Sequence, residues 1–211
     1  MSEIYTLKSP KNPCSGVVFN SPHSGSHYQP EFLESSNLDS LAIRSSEDAF
    51  VNELFSDAPK HGAYLLSAHA PRAFIDLNRS ATELDPAIVQ GVKRQPTNPR
   101  IAAGLGIIPR VVADGQVIRT GKIPLAEAQR RIDKYYTPYH NCLRTLIDQQ
   151  RDVHGMAVLI DCHSMPQSAL VSAPLVRGKK PDIILGDRFG ASCDRWIMES
   201  ATQIFAAAGF V

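Results

Sequence analysis

Two short apolar runs, each followed at once by a polar segment with a histidine, constrain the fold of this 211-residue chain most strongly. The run MAVLI at residues 156–160 precedes DCHSMP, and the run GVVF at residues 16–19 precedes NSPHSG. Short apolar runs bounded by polar residues are typical of buried strands, and open α/β sheets keep their chemistry at strand ends. We therefore predict that His23 and His163 follow two strands of one sheet and that together they belong to a metal site.

The composition is that of an ordinary globular protein. The chain is 43% hydrophobic and 20% charged, and its formal net charge is +1. A chain of this length buries roughly 70% of its unfolded surface, so it needs no disulfide for stability. Because the basic residues are spread along the sequence, nucleic acid is not expected as a partner. We predict one domain over residues 1–211.

Cysteine usage and the N-terminus indicate a cytoplasmic protein. The four cysteines are far apart and form no CxxC pair, which argues against a structural zinc knuckle and for reduced thiols. The first residues lack the basic and apolar regions of a signal peptide, and no uncharged run is long enough to span a bilayer. No membrane partner is expected, and the oligomeric state is left open.

Apolar runs alternate with longer amphipathic stretches, which predicts an α/β fold with helices flanking a sheet. The predicted strands are residues 16–20, 63–67, 110–113, 156–161, 169–172 and 182–185. Three helices are predicted: one begins near residues 46–48, a second runs from 124 to 153 with a break near Pro138, and a third runs from 191 to 208. Residues 80–109 are predicted to be an irregular excursion over the sheet. Phe210 and Val211 are interpreted as the start of a further strand, so we expect the C-terminal part of the fold to be missing.

The two histidines and one acid form a candidate zinc site. Catalytic zinc commonly takes three ligands from His and Asp or Glu and leaves a fourth position for water. Glu47 is preferred as the acid because it would open a helix lying between the two histidines in sequence. Asp48, which would point about 100° away around that helix, remains the alternative. Asp161 is better placed to orient an imidazole or the substrate than to bind the ion.

The segment DLNR at residues 76–79 is a candidate substrate-binding element. In an extended segment Asp76 and Asn78 share one face, and Arg79 supplies a planar fork suited to a carboxylate. The alternative is a purely structural ion pair between Asp76 and Arg79.

Together these segments resemble the N-formylglutamate amidohydrolase family over essentially the whole chain. The matching motifs, in order, are NSPHSG at residues 20–25, SED at 46–48, DLNR at 76–79 and DCHSMP at 161–166. The resemblance implies a three-layer α/β/α fold with a mixed, mostly parallel sheet, of the type found in zinc-dependent exopeptidases. It also implies one Zn²⁺ ion bound by His23, Glu47 and His163.

The resemblance further implies a function. The expected reaction is zinc-dependent hydrolysis of N-formyl-L-glutamate to formate and L-glutamate, a step of histidine degradation. Asn78 and Arg79 would bind the α-carboxylate of the substrate, and Arg72, Arg119 or Arg177 would bind its side-chain carboxylate.

Two alternatives to this function remain. One is a deacylase of another N-acyl acidic amino acid, similar to aspartoacylase or succinylglutamate desuccinylase. The other is a truncated, non-catalytic domain that binds zinc or a ligand. In related enzymes the catalytic glutamate lies near the C-terminal end of the fold. We therefore expect the main general base beyond Val211, with Asp161 as the one catalytic candidate within the chain.

Overall fold

The computed structural model describes residues 4–93, 98–171, 173–176 and 178–211. The chain forms two compact units, Met1–Ser164 and Met165–Val211, which are described separately. The prediction of a single domain over residues 1–211 stays a prediction.

The first unit is built on a mixed four-stranded sheet. Its strands are β1 (Tyr5–Lys8), β2 (Val17–Ser21), β3 (Tyr64–Ala68) and β4 (Val158–Asp161), in the order β1-β3-β2-β4. Strand β2 runs parallel to both β3 and β4, and β1 is antiparallel to β3. The predicted α/β class with a mostly parallel sheet is confirmed. The carboxyl ends of β2, β3 and β4 therefore lie at one edge of the sheet, where α/β proteins bind ligands.

Three of the six predicted strands are confirmed, and the other three are wrong. Predicted strands 16–20, 63–67 and 156–161 correspond to β2, β3 and β4, but residues 110–113 form only an isolated bridge between Val111 and Val117. Residues 167–170 form a 3-10 helix, residues 182–185 form no strand, and Ser172 lies outside the described residues. The apolar residues near 110 are nevertheless buried, because the irregular segment packs into the core. Strand β1 was not predicted, because this short edge strand is partly exposed and lacks a clear apolar run.

The helices of the two units are mostly short. They are α1 (Pro30–Glu34), α2 (Val51–Leu54), α3 (Pro99–Ala102), α4 (Leu125–Arg131), α5 (Thr137–His154) and α6 (Arg195–Ala207). The 3-10 helices are Ala42–Ser46, Ala58–His61, Ala113–Gly115 and Gln167–Leu170. None of the helices in the described ranges has both the length and the apolar composition needed to cross a bilayer.

The predicted long helix over residues 124–153 is confirmed, with a different break. A π-helical turn, Ile132–Tyr136, joins α4 to α5, and Pro138 lies in the first turn of α5. A proline ring crowds the carbonyl four residues earlier and removes one helical N–H donor. The wider π turn before Pro138 lets the helical path continue instead of ending.

Alternation along β3 buries side chains on both faces of this strand. Leu66 belongs to the large core cluster, where Tyr139 and Leu143 of α5 also pack. Leu65, on the opposite face, belongs to a smaller cluster with Ala58. Burial on both faces is typical of parallel sheets, and it holds the strand ends in a fixed arrangement.

The second unit contains α6, which confirms the predicted C-terminal helix with a later start. Phe210 and Val211 form no strand, so that prediction is wrong. The Val211 backbone N–H instead donates to the Asp182 carboxylate at 3.0 Å.

Gly25, in the loop after β2, is required by a close backbone approach. A Cβ atom added there would lie 2.2 Å from the Ala70 carbonyl oxygen, and His27 N donates to His69 O nearby. We expect Gly25→Ala to lower the free energy of unfolding by about 1 to 3 kcal/mol, because the backbone must shift. Chemical denaturation followed by circular dichroism measures this. Gly186→Ala is the control, since its added Cβ meets nothing within 4 Å, and an equal loss in both variants would contradict the prediction.

Candidate metal centre

The two predicted histidines meet at the carboxyl edge of the sheet. His23 follows β2 by two residues, His163 follows β4 by two residues, and the two strands pair in register with Asn20 opposite Asp161. The backbone N–H of Asp48 donates to the carbonyl of His23 at 3.0 Å. This bond brings a third polar side chain, from the turn before α2, to the same edge.

His23, Asp48 and His163 form a compact group, here called the His–Asp cluster. One potential ligand atom from each lies within 4.8 Å of the others. The Nδ1 atom of His163 lies 2.7 Å from Asp48 Oδ2, and the Nδ1 atom of His23 lies 3.4 Å from the same oxygen. The other oxygen of Asp48 accepts a bond from the Ser164 hydroxyl at 3.2 Å.

The cluster fits a metal ion. His23 is 2% exposed, and among the described residues its Nδ1 atom is buried without a hydrogen-bond partner. Leaving a buried polar atom unpaired is costly, and native structures rarely do so without a functional reason. Two imidazole nitrogens and one carboxylate are a typical protein ligand set for Zn²⁺.

Each histidine is oriented by a further carboxylate. His23 Nε2 donates to Asp76 Oδ1 at 2.7 Å, and His163 Nε2 donates to Asp161 Oδ2 at 3.1 Å. Metal-binding histidines almost always donate their second ring N–H in this way, because the bond fixes the tautomer. In His23 the Nδ1 lone pair is then left for a metal, whereas Nδ1 of His163 bonds to Asp48, and a metal ion would displace the proton between them.

The cluster carries strong electrostatic coupling. Burial raises the pKa of Asp48, but the neighbouring imidazoles of His163 and His23 outweigh it and hold the pKa well below its usual range. Burial lowers the pKa of His163, yet hydrogen bonds to Asp161 and Asp48 raise it to about 9. Asp76 is likewise desolvated, and His23 with the nearby arginines lowers its pKa to about 2. The two carboxylates Asp48 and Asp76 are therefore ionised near neutral pH, and Asp48 offers its negative charge within the cluster.

Glu47, the preferred acid of the sequence analysis, is not brought to the two histidines. The premise that it opens a helix is wrong, because Glu47 follows the 3-10 helix Ala42–Ser46 in extended conformation and α2 begins only at Val51. Its carboxylate instead accepts from Arg44 Nη2 at 3.1 Å. In extended backbone, consecutive side chains point to opposite sides, so Asp48 faces the histidines and Glu47 does not.

Asp76 has a role that the sequence analysis missed. It was predicted only as a partner of Arg79, whereas the structure makes it the carboxylate that orients His23. Arg72 Nε is the closer cation, at 3.1 Å from Asp76 Oδ2, while Arg79 Nε is 3.9 Å away. The sequence signal for this role was the alternation that places Asp76 and Asn78 on one face of an extended segment. Alternation does not predict which other side chains that face contacts.

The remaining predicted site residues fall into two groups. Asn78 lies beside the cluster, because its Nδ2 atom donates to Asp161 Oδ2 at 3.0 Å and lies 2.9 Å from His163 Nε2. Arg79 donates to the carbonyls of Leu105 and Asn78 and approaches Asp76 at 3.9 Å. Arg119 forms no ion pair with the cluster within the described ranges, and its buried Nε atom has no partner there. Arg177 lies outside the described residues.

Comparison with known proteins identifies the family of the chain. The sequence model of N-formylglutamate amidohydrolase matches residues 15–211. The chain belongs to the N-formylglutamate amidohydrolase family. This confirms the family resemblance and the predicted enzyme class, amidohydrolases that act on a linear amide. Placement among the zinc-dependent exopeptidases, and a general base beyond Val211, stay predictions.

Two bacterial members of the N-formylglutamate amidohydrolase family are similar along nearly the whole chain. The N-formylglutamate deformylase of Pseudomonas aeruginosa is 27% identical over 211 residues, which span 99% of this chain and 71% of that protein. The N-formylglutamate deformylase of Pseudomonas putida is 27% identical over 194 residues, which span 91% of this chain and 66% of that protein.

Two crystal structures resemble the fold. The N-formylglutamate amidohydrolase of Ralstonia eutropha JMP134 superposes with a TM-score of 0.85 at 29% identity, covering 99% of this chain and 75% of that one. A gene product of Agrobacterium tumefaciens superposes with a TM-score of 0.53 at 18% identity, covering 77% of this chain and 57% of that one. The second similarity concerns the fold alone.

The buried Asp76 carboxylate should stabilise the first unit even without metal. We expect Asp76→Asn to lower the free energy of unfolding of metal-free protein by about 3 kcal/mol, because it leaves Arg72 and His23 without their anionic partner. Urea denaturation measures the change. Asp133→Asn is the matched control, since Asp133 is exposed and bonded only to Gln129 among the described residues. Equal stabilities of the Asp76→Asn variant and the parent would contradict this role.

Proposed function

We propose that the chain binds one Zn²⁺ ion through His23, Asp48 and His163 and hydrolyses N-formyl-L-glutamate to formate and L-glutamate. The observation that carries the metal assignment is the buried, unpartnered Nδ1 atom of His23, which faces Asp48 beside His163. Family membership supports the substrate. When bound, such an ion acts as a Lewis acid and lowers the pKa of its water to about 7.

The residues around the proposed ion have two roles, as ligands and as groups that orient the ligands. His23 and His163 present their Nδ1 atoms, and Asp48 adds the negative charge that a divalent cation requires. Asp76 and Asp161 hold the two imidazoles in the tautomer that leaves Nδ1 free. By the same family resemblance, the reaction belongs to histidine degradation.

Asp161 serves as a positioning residue in this proposal. One of its oxygens accepts from Asn20 at 2.7 Å, and the other accepts from Asn78 and His163. A carboxylate bonded at both oxygens is well suited to orient an imidazole and poorly suited to collect a proton from water. The catalytic role predicted for Asp161 is therefore replaced here by orientation of His163.

Arg72 and Arg79 are the proposed carboxylate-binding residues. Arg72 bonds to Asp76 through Nε, and its two terminal nitrogens have no hydrogen bond to the part of the chain that is described. A guanidinium fixed at Nε presents those nitrogens as a fork for a second carboxylate. Because Asp76 holds both Arg72 and His23, it sets the distance between substrate binding and the metal. The contributions of Arg119 and Arg177 stay predictions.

Substitution of the proposed ligands tests the metal assignment. We expect Asp48→Asn and His163→Ala to reduce bound zinc from about one ion per chain to nearly none, because each removes one of three ligands. Zinc content is measured by atomic emission after dialysis against chelator-treated buffer.

Glu47→Gln is the matched control for Asp48→Asn, with the same carboxylate-to-amide change one residue earlier. It should keep its zinc, because the Glu47 carboxylate is bonded to Arg44. Loss of zinc in Glu47→Gln together with retention in Asp48→Asn would restore Glu47 as the ligand.

Arg72→Lys tests substrate recognition. Lysine keeps the charge but lacks the planar fork, so we expect KM for N-formyl-L-glutamate to rise about tenfold or more. Bound zinc should stay unchanged, since Arg72 contacts no proposed ligand. Steady-state kinetics with formate detection, paired with zinc analysis of the same sample, measures both.

Arg130→Lys is the control for Arg72→Lys, because Arg130 is an exposed arginine paired with Glu127 on α4. Unchanged KM in Arg72→Lys would remove Arg72 from the substrate site. The same assay with N-acetyl- and N-succinyl-L-glutamate tests the alternative acyl groups: a higher kcat/KM for either would favour that deacylase. Zinc binding without turnover of all three would favour a non-catalytic domain.

A further inference from the structure

We propose that Tyr139 and Asn20 are positioning residues that fix the orientation of His163 through Asp161. The inference rests on the proposed function, since it assigns the support of one metal ligand in that site. The inference goes beyond the proposed function because it gives Tyr139, a core residue of α5, a role in the metal centre.

A continuous series of hydrogen bonds connects the core with the cluster. The Tyr139 hydroxyl bonds to Asn20 Oδ1, and Asn20 Nδ2 donates to Asp161 Oδ1 at 2.7 Å. Asp161 Oδ2 accepts from His163 Nε2 at 3.1 Å. Tyr139 is thereby joined to a proposed ligand through two intervening side chains.

The chemistry of these groups gives the series one direction. An amide oxygen only accepts, so Tyr139 must donate to Asn20, and the amide nitrogen must donate to the Asp161 carboxylate. The opposite amide orientation would set the Asn20 oxygen against a negatively charged oxygen of Asp161. Because Asp161 accepts on both sides, His163 carries a proton on Nε2, and Asn78 Nδ2, 2.9 Å from that nitrogen, donates to Asp161. The Nδ1 atom of His163 donates to Asp48 at 2.7 Å, and a bound ion would take the place of that proton.

Burial makes this series more than a surface contact. Tyr139 is 1% exposed and Asn20 is 5% exposed. Hydrogen bonds in such surroundings are electrostatically stronger than in water, and breaking one leaves a costly unpaired group. Burial, and then the charge of Asp161, raise the pKa of Tyr139 well above its usual value, so the hydroxyl keeps the proton that it donates.

The fold holds both ends of the series in place. Asn20 and Asp161 are paired residues on the adjacent strands β2 and β4, so the separation of their backbones is set by the sheet. The Tyr139 ring packs edge-on against Tyr5 of β1, with centroids 6.1 Å apart. A phenylalanine would fill the same space in the core. The hydroxyl is therefore the part of Tyr139 that the metal site uses.

Tyr139→Phe tests the inference, with Tyr135→Phe as the matched control. Tyr135 is also a buried tyrosine, 7% exposed, but its hydroxyl bonds to Gln29 and not to the series. Zinc affinity of the 211-residue chain is measured by competition with a chromophoric chelator. Substitution of residues that orient metal ligands costs about 10- to 100-fold in affinity, and since Tyr139 acts at one remove we expect about the lower value. Tyr135→Phe should stay within about twofold of the parent.

A second readout separates positioning from general stability. The unfolding free energy of the metal-free protein should fall by a similar amount in both variants, because each loses one buried hydroxyl bond. Long-range ¹H–¹⁵N spectra of the zinc-bound protein should show the His163 proton on Nε2 in the parent, with faster exchange of that proton in Tyr139→Phe.

Asn20→Leu provides an independent variant that acts directly on Asp161, and we expect it to weaken zinc binding by about 10- to 100-fold. Zinc affinity equal to that of the parent in both Tyr139→Phe and Asn20→Leu would overturn the inference while leaving the metal site intact. Failure of the parent itself to bind zinc would overturn the proposed function and this inference with it. Zinc binding by the parent protein therefore distinguishes a failure of this inference from a failure of the proposed function.

Discussion

The parallel pairing of β2 with β4 is the interaction on which the site depends. It places Asn20 opposite Asp161, and it carries His23 and His163, which lie just beyond these strands, to the same edge of the sheet. The strands are separated by more than a hundred residues in sequence, so no local contact could bring the two histidines together. Every other contact of the cluster is added to this pair: Asp48 through its backbone bond to His23, and Asp76 through the His23 ring.

The two histidines of the cluster are supported by carboxylates in the same way. In each case a histidine presents Nδ1 to the centre of the cluster and Nε2 to an aspartate. The two aspartates then differ in their outer partners, since Asp76 is bonded by an arginine and Asp161 by two asparagines. The Asp76 side therefore meets the proposed carboxylate-binding residues, whereas the Asp161 side extends into the neutral, buried core. Asn78 connects the two sides, because its backbone N–H bonds to Asp76 and its side chain bonds to Asp161.

The sequence predicted that His23 and His163 follow two strands of one sheet, which the structure confirms. Its choice between Glu47 and Asp48 depended on a helix start that the structure lacks. An apolar run that ends in a polar loop reports directly on a strand and its exit, so His23 and His163 could be found from pattern alone. The choice between Glu47 and Asp48 depended on whether a helix began at Ser46, and here the backbone passes through an extended residue before α2. Similarly, the apolar residues around position 110 lie in the core without forming a strand. Burial can be inferred from such residues, but the backbone conformation that achieves it depends on partners distant in sequence. The orienting roles of Asp76 and Asn20 depend on the same long-range pairing.

The π-helical turn between α4 and α5 has a consequence for how these two helices can vary. A π turn holds one residue more than an α-helical turn, and each added residue rotates the later part of the helix by about 100° around the axis. Residues before Ile132 and residues after Tyr136 are consequently out of phase as parts of one helix. Loss of one residue in this turn can therefore be taken up by an ordinary α-helical turn, with α4 and α5 keeping their orientations. The turn marks the place in this helical path where the chain can shorten by one residue while Tyr139 keeps its contact with Asn20.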